Sequence, residues 1–150
     1  MQGRPAPSTT YKTMPGPASW FMQNAGKTIA IVEDDTGLHQ AIERVLSAVG
    51  HTPLTFDSAE ALLARGPIAG LDCYLFDIRL PGKSGIELTR ALSASGSTVP
   101  VVFMSAHDNP SVREAVARCG AAALLIKPFA GRKLLETLDT LLGGDPESKP

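Results

Sequence analysis

Four apolar runs in this chain end on side chains with chemical potential. "TIAIV" (28–32) runs into Glu33, Asp34 and Asp35, and "LDCYLF" (71–76) runs into Asp77. "VPVVFM" (99–104) leads to Ser105, Ala106 and His107, and "AALLI" (122–126) leads to Lys127, Pro128 and Phe129. Carboxylates brought together from separate runs repel one another and call for a hard cation. Two or three oxygens with room for water suit octahedral Mg²⁺ better than the fuller oxygen cage of Ca²⁺. Beside such an ion, Asp77 could attack a phosphoryl group and form an acyl phosphate. Lys127 would offer a mobile positive charge to a phosphate oxygen, and Ser105 a hydroxyl donor to another. Nothing in the set resembles a general base for fast hydrolysis.

Each residue also has a plainer reading. Acids at strand ends are often solvated turn or cap residues, Pro81-Gly82 is a turn, Ser105 could cap a helix, and Lys127 could be a surface lysine before a loop proline. Their conjunction is what carries weight, and it depends on the elements that position them. Between the runs lie helical patterns: "GLHQAIERVLSAVG", with Leu38, Ile42, Val45, Leu46 and Val49 at helical spacing, and "SGIELTRALSASG", with Ile86, Leu88, Ala91 and Leu92. "SVREAVARCG" follows an Asn109-Pro110 start signal, and "GRKLLETLDTLLGG" carries Leu134, Leu135, Leu138, Leu141 and Leu142. "TPLTF" (52–56) is a further strand, and Asp57 with Glu60 reads as a capping pair for "SAEALLARG". Five strands alternating with five helices predict a doubly wound α/β fold. Its sheet is parallel, and the strands are continuous apolar runs because helices cover both faces. Right-handed crossovers then bring every strand's C-terminal end to one edge, where ligands of open sheets bind.

Composition places this in one soluble globular domain. The 150 residues are 43% hydrophobic and 19% charged with a net charge of -1, so there is no basic footprint for nucleic acid. No apolar run approaches the ~18 residues of a membrane span, and a reducing, cytoplasmic setting is expected. Cys73 and Cys119 lack metal-ligand spacing and read as small buried hydrophobes. Residues 1–26 contain no Asp or Glu, carry four prolines and show no period, which predicts a flexible tail. Within it, Trp20-Phe21-Met22 could pack on the domain or touch a partner. The domain is expected over 27–143, with a disordered end over 144–150.

The pieces "IVEDD", "FDIRLPGKSGIEL", "VVFMSAHDN" and "LLIKPF", in that order, resemble the receiver domain of two-component response regulators. The likeness runs from about Lys27 to Leu142 and is nearest in flavour to the nitrogen-fixation and LuxR-output branch. It implies a flavodoxin-like, CheY-like (βα)5 fold with sheet order 2-1-3-4-5. It also implies Asp77 as phosphoacceptor, with Asp34 binding Mg²⁺ directly and Glu33 assisting, and the backbone carbonyl of Arg79 as a third protein ligand. Ser105 and Lys127 fall at the family's hydroxyl and lysine positions, and the Lys127-Pro128 bond is implied to be cis. Such a domain takes its phosphoryl group from a sensor histidine kinase or a histidine phosphotransfer protein. It catalyses its own phosphorylation and slow dephosphorylation without a turnover substrate. It then signals to a protein target through the helix 4–strand 5–helix 5 face, or as a homodimer. One position departs from the pattern: Leu124 stands where many receivers carry a switching Tyr or Phe, so output coupling is expected to be weaker or rerouted. After Gly144 too few residues remain for a DNA-binding output domain, so this chain is expected to act through protein contacts, with no nucleic acid or membrane partner of its own.

Other readings fit less well. A haloacid-dehalogenase-type phosphatase wants an acid two residues after the nucleophile, where this chain has Arg79. A receiver-like binding module that is never phosphorylated would be marked by loss of Asp77 or Lys127, and both are present. A receiver fragment of a DNA-binding transcriptional regulator is the other alternative. A dinucleotide-binding domain needs a Gly-rich loop after the first strand, where "VEDDTGL" would repel a pyrophosphate.

Overall fold

A computed structural model of the chain describes residues 26–143. The expectations for Trp20-Phe21-Met22, for the tail and for residues 144–150 lie outside these described residues.

The chain alternates strand and helix throughout: β1 Thr28–Val32, α1 Thr36–Ala48, β2 Thr52–Phe56, α2 Ala59–Arg65, β3 Cys73–Asp77, α3 Gly85–Ala94, β4 Val101–Ser105, α4 Pro110–Arg118, β5 Ala123–Ile126 and α5 Gly131–Leu142. All strand pairs are parallel, in the order β2-β1-β3-β4-β5. Strand residues alternate between the two faces, and each face has its own core. Ile29, Ile31, Leu75, Val102, Met104 and Leu125 pack against Ile42 and Leu46 of α1 and Leu134 and Leu138 of α5. Ala30, Val32, Tyr74, Phe76, Val101 and Phe103 pack against Leu62 of α2, Leu88 of α3 and Val116 of α4. Being sandwiched on both sides is why β3 and β4 are buried at every residue. β2 lies at the sheet edge, half-exposed, and there Pro53 is tolerated because no ladder depends on its missing N–H.

The predicted start of α4 is present. Asn109 caps α4 with Pro110 in its first turn, and Ser84 and Glu87 form a reciprocal capping box on α3. Asp35 caps α1 by accepting from Leu38 N–H at 3.1 Å. The Asp57–Glu60 capping pair is corrected. Asp57 lies one residue too early; Ser58, in extended conformation, caps α2 by accepting from Ala61 N–H. Glu60 is thereby left for another partner. The third strand also begins later than its apolar run. Asp72 stays outside it and accepts the Thr28 N–H at 2.8 Å, so its carboxylate takes up a backbone donor where the chain enters β1. Both cysteines are free; Cys73 is buried, and burial together with the Asp72 charge pushes its thiol up to about 12, which leaves it inert.

His51 sits buried at the start of β2, and its Nδ1 accepts the Lys27 N–H at 3.1 Å. That bond requires neutral imidazole. Burial, and then the Lys27 charge, hold its pKa below the ordinary 6.5. The unfolded chain therefore binds more protons than the folded one as pH falls through 6.5, and stability must rise with pH across that window. Thermal melts between about pH 7.5 and 5.5 should lose stability on acidification by up to about 1.4 kcal/mol per pH unit from this group. His51→Asn, which keeps an acceptor but does not titrate, should flatten that slope; an unchanged slope would count against His51 as its source.

Candidate functional site

The C-terminal ends of β1, β3, β4 and β5 converge as the parallel topology requires. Backbone bonds carry the sheet ladder past the strand ends and fix the site residues. Glu33 N–H donates to Phe56 O at 3.1 Å, Ile78 N–H to Met104 O at 3.0 Å, and Lys127 N–H to Ser105 O at 2.7 Å. Three acids thus meet: Glu33 and Asp77 are buried and Asp34 is exposed, each offering an oxygen within 4.8 Å of the others. Lys127 Nζ bridges the two buried carboxylates, at 2.8 Å from Glu33 Oε1 and 2.8 Å from Asp77 Oδ2.

The electrostatics follow from burial and like charge. Burial pushes the Glu33 carboxyl up; the Lys127 and Asp35 N–H bonds pull it back, the Asp77 charge adds to the rise, and the net position is above the ordinary value. For Lys127, burial works against the ammonium, but its hydrogen bonds to Asp77 and Glu33 and their charges prevail and hold its pKa above the usual lysine value. Three carboxylates against one ammonium leave the edge short of positive charge. Hard oxygen donors, few in number, with one exposed member, fit a small divalent cation.

Residues 29–139 match the response regulator receiver domain family. This chain belongs to that family. The receiver is 29% identical over 128 residues to the response regulator protein TmoT of Ectopseudomonas mendocina, covering 85% of this chain and 58% of TmoT. It is 28% identical over 114 residues to the transcriptional regulatory protein FixJ of Bradyrhizobium diazoefficiens, covering 76% of this chain and 56% of FixJ. The chain therefore spans a little over half the length of these relatives. Among solved structures, a CheY-like response regulator receiver domain protein from Methanospirillum hungatei superposes with a TM-score of 0.73 at 26% identity, covering 79% of this chain and 95% of that one. The receiver is a two-component signalling domain with the CheY-like sheet order expected from its motifs. Among its described residues no helix is long and apolar enough to cross a membrane.

Other predicted residues of the receiver fall as follows. Asp77 is the last residue of β3 rather than the first beyond it. Arg79 is exposed, and its backbone N–H donates to Asp77 Oδ1 at 3.1 Å; the ion pair to Asp77 comes from Lys127. Ser105 ends β4, buried, with its hydroxyl donating to His107 O and accepting from His107 N–H, so it closes its own loop. The Lys127-Pro128 bond is cis, as the motif implied. Leu124 pairs with Phe103 and packs, half-buried, against the core under α2, α3 and α4.

Two residues near the site escaped sequence reasoning. Gly85 begins α3 with its α-carbon against the end of β3: a Cβ there would collide with the Asp77 carbonyl oxygen and lie 3.1 Å from its carbon and 3.2 Å from Ile78 Cα. The available signal was a glycine directly after a Ser cap, where a helix former is usual. Glu60 of α2 accepts the Lys83 N–H at 3.0 Å across 23 residues, a link with no sequence signature.

Proposed function

We propose that this receiver takes a phosphoryl group onto Asp77 from a phosphohistidine of a sensor kinase or phosphotransfer protein. The observation that carries the reading is Lys127 Nζ poised between Asp77 and Glu33, beside Asp34, on a family-matched sheet edge. An Asp77 carboxylate oxygen attacks phosphorus in line. The P–N bond breaks as the P–O bond forms, and the imidazole nitrogen leaves with the electron pair and picks up a proton from water. Glu33, Asp34, Asp77 and the Arg79 carbonyl would hold Mg²⁺, which when bound supplies charge neutralisation for the transferring group. Lys127 contributes one fixed positive charge to a phosphoryl oxygen. Ser105 trades its bond to the His107 carbonyl for one to the acyl phosphate. The described hydrogen bonds to the Asp77 carboxylate come from Lys127 Nζ and the Arg79 N–H, both donors, which supports slow self-dephosphorylation.

In this reading residues 27–143 form the working domain, in the cytoplasm. The change at Ser105 biases the α4–β5–α5 face toward a protein target or a second copy. Leu124 lies on that route without an aromatic ring, so the signal there is small.

Incubation with acetyl phosphate and Mg²⁺, followed by intact mass, tests the reading. One added phosphoryl group is expected, labile to base and absent in Asp77→Ala. Unchanged mass under conditions that label another receiver would refute it. In amide spectra with beryllofluoride, strong shifts at Ser105 with little change at Leu124 are expected; large shifts at Leu124 would contradict the attenuated route.

A further inference from the structure

We propose that Glu60 is a positioning residue for phosphoryl transfer: it holds the tip of the β3–α3 loop and, through the loop, the surroundings of Asp77. The inference rests on the reading of Asp77 as phosphoacceptor and adds to it a residue outside the acid–lysine cluster.

The loop runs from Ile78 to Ser84 between the reactive strand and α3. Its base is closed by Gly85 N–H donating to Ile78 O at 3.0 Å and by burial of Leu80 in the core. Its tip is Gly82-Lys83, where Gly82 has φ +74° and a Cβ would lie 2.8 Å from Glu60 Oε2. That same oxygen accepts the Lys83 N–H at 3.0 Å. The carboxylate thus fits into space that only glycine leaves open. This is a charge-assisted bond to the backbone, stronger than its neutral counterpart. Hydrogen bonding to the Lys83 N–H is also the leading cause that holds the Glu60 carboxyl below its ordinary pKa.

Loop position matters to the chemistry at both ends. Upstream, the Arg79 N–H holds Asp77 Oδ1. Downstream, Ser84 caps α3 and Gly85 abuts the Asp77 carbonyl, so a shift of the tip is passed to the strand end that carries the reactive carboxylate. Glu60 is exposed and α2 keeps its own cap at Ser58, so replacing Glu60 leaves the fold intact.

The test compares the parent chain, Glu60→Ala and Glu60→Gln in labelling with acetyl phosphate and Mg²⁺, alongside amide spectra without a phosphoryl donor. Gln loses the charge but retains an acceptor oxygen; Ala loses both. The expected result is labelling slowed about five-fold in Glu60→Ala and nearly restored in Glu60→Gln. The Lys83 and Gly85 amide resonances should move in the Ala variant only. Parent rates in Glu60→Ala would overturn the proposal. So would equal slowing of both variants, which is the signature of charge alone, or slowing with the loop amides unmoved. A parent protein that takes no label fails the phosphoacceptor reading itself and is distinguished from all of these.

Discussion

Lys127→Ala is expected to slow phosphoryl transfer to Asp77 by about 10²–10³, the usual loss when one fixed donor is removed from a developing oxyanion. The same substitution has a second, separable consequence. Glu33 and Asp77 are almost wholly buried, and Lys127 Nζ is the cation between them. Without it two carboxylates face each other with their repulsion uncompensated. Removing one member of a buried pair costs about 3–5 kcal/mol, and because the lysine is one-fifth exposed the cost here should be about 1–3 kcal/mol. A divalent ion held by the acidic cluster would draw on the same two carboxylates that Nζ now bridges. Mg²⁺ should therefore raise the melting temperature of Lys127→Ala by more than it raises that of the parent, while failing to restore labelling. Equal Mg²⁺ increments in parent and variant would show that the lysine and the ion do not share the site.

Gly85→Ala should damage activity nearly as much from a position that touches no phosphate. The added methyl would collide with the carbonyl of Asp77, a backbone atom that no side-chain rotation can move aside. Either α3 or the end of β3 must give. Overpacking of this kind costs about 1–3 kcal/mol. Displacing the nucleophile by an ångström can cost about 10²-fold in rate. Gly37→Ala in α1 is the matched control, since its methyl meets nothing closer than Asp35 Oδ1 at 3.4 Å. Calorimetry and labelling rates should show Gly85→Ala impaired in both and Gly37→Ala in neither; a Gly85→Ala protein that labels at the parent rate would show that the strand end tolerates the shift.

The contrast between Lys127 and Gly85 marks what could be read from the sequence. The strands were legible because three of them are buried on both faces and so appear as unbroken apolar runs. Once the topology is parallel, the residue after each run must fall on one edge, and Glu33, Asp34, Asp77, Ser105 and Lys127 were found that way. Gly85 and Glu60 act through close approach and through a bond to a distant backbone N–H. Neither contact leaves a periodic trace: Gly85 shows only as a glycine directly after a Ser cap, and for Glu60 a local capping partner looks sufficient. The choice of Ser58 over Asp57 turned on a single residue of register, which backbone geometry decides and composition does not.

The Lys127 pairs span 94 residues to Glu33 and 50 to Asp77. A ribosome releasing this chain exposes both acids long before β5 emerges to supply the lysine, and until β5 pairs with β4 the acidic cluster has no ammonium between its members. On the proposed function, competence for phosphorylation therefore waits on β5, and a kinase that met a half-made or partly opened receiver would find an aspartate without its lysine. If Asp77 is the acceptor, the fold makes receipt of the phosphoryl group wait on the pairing of β5 with β4.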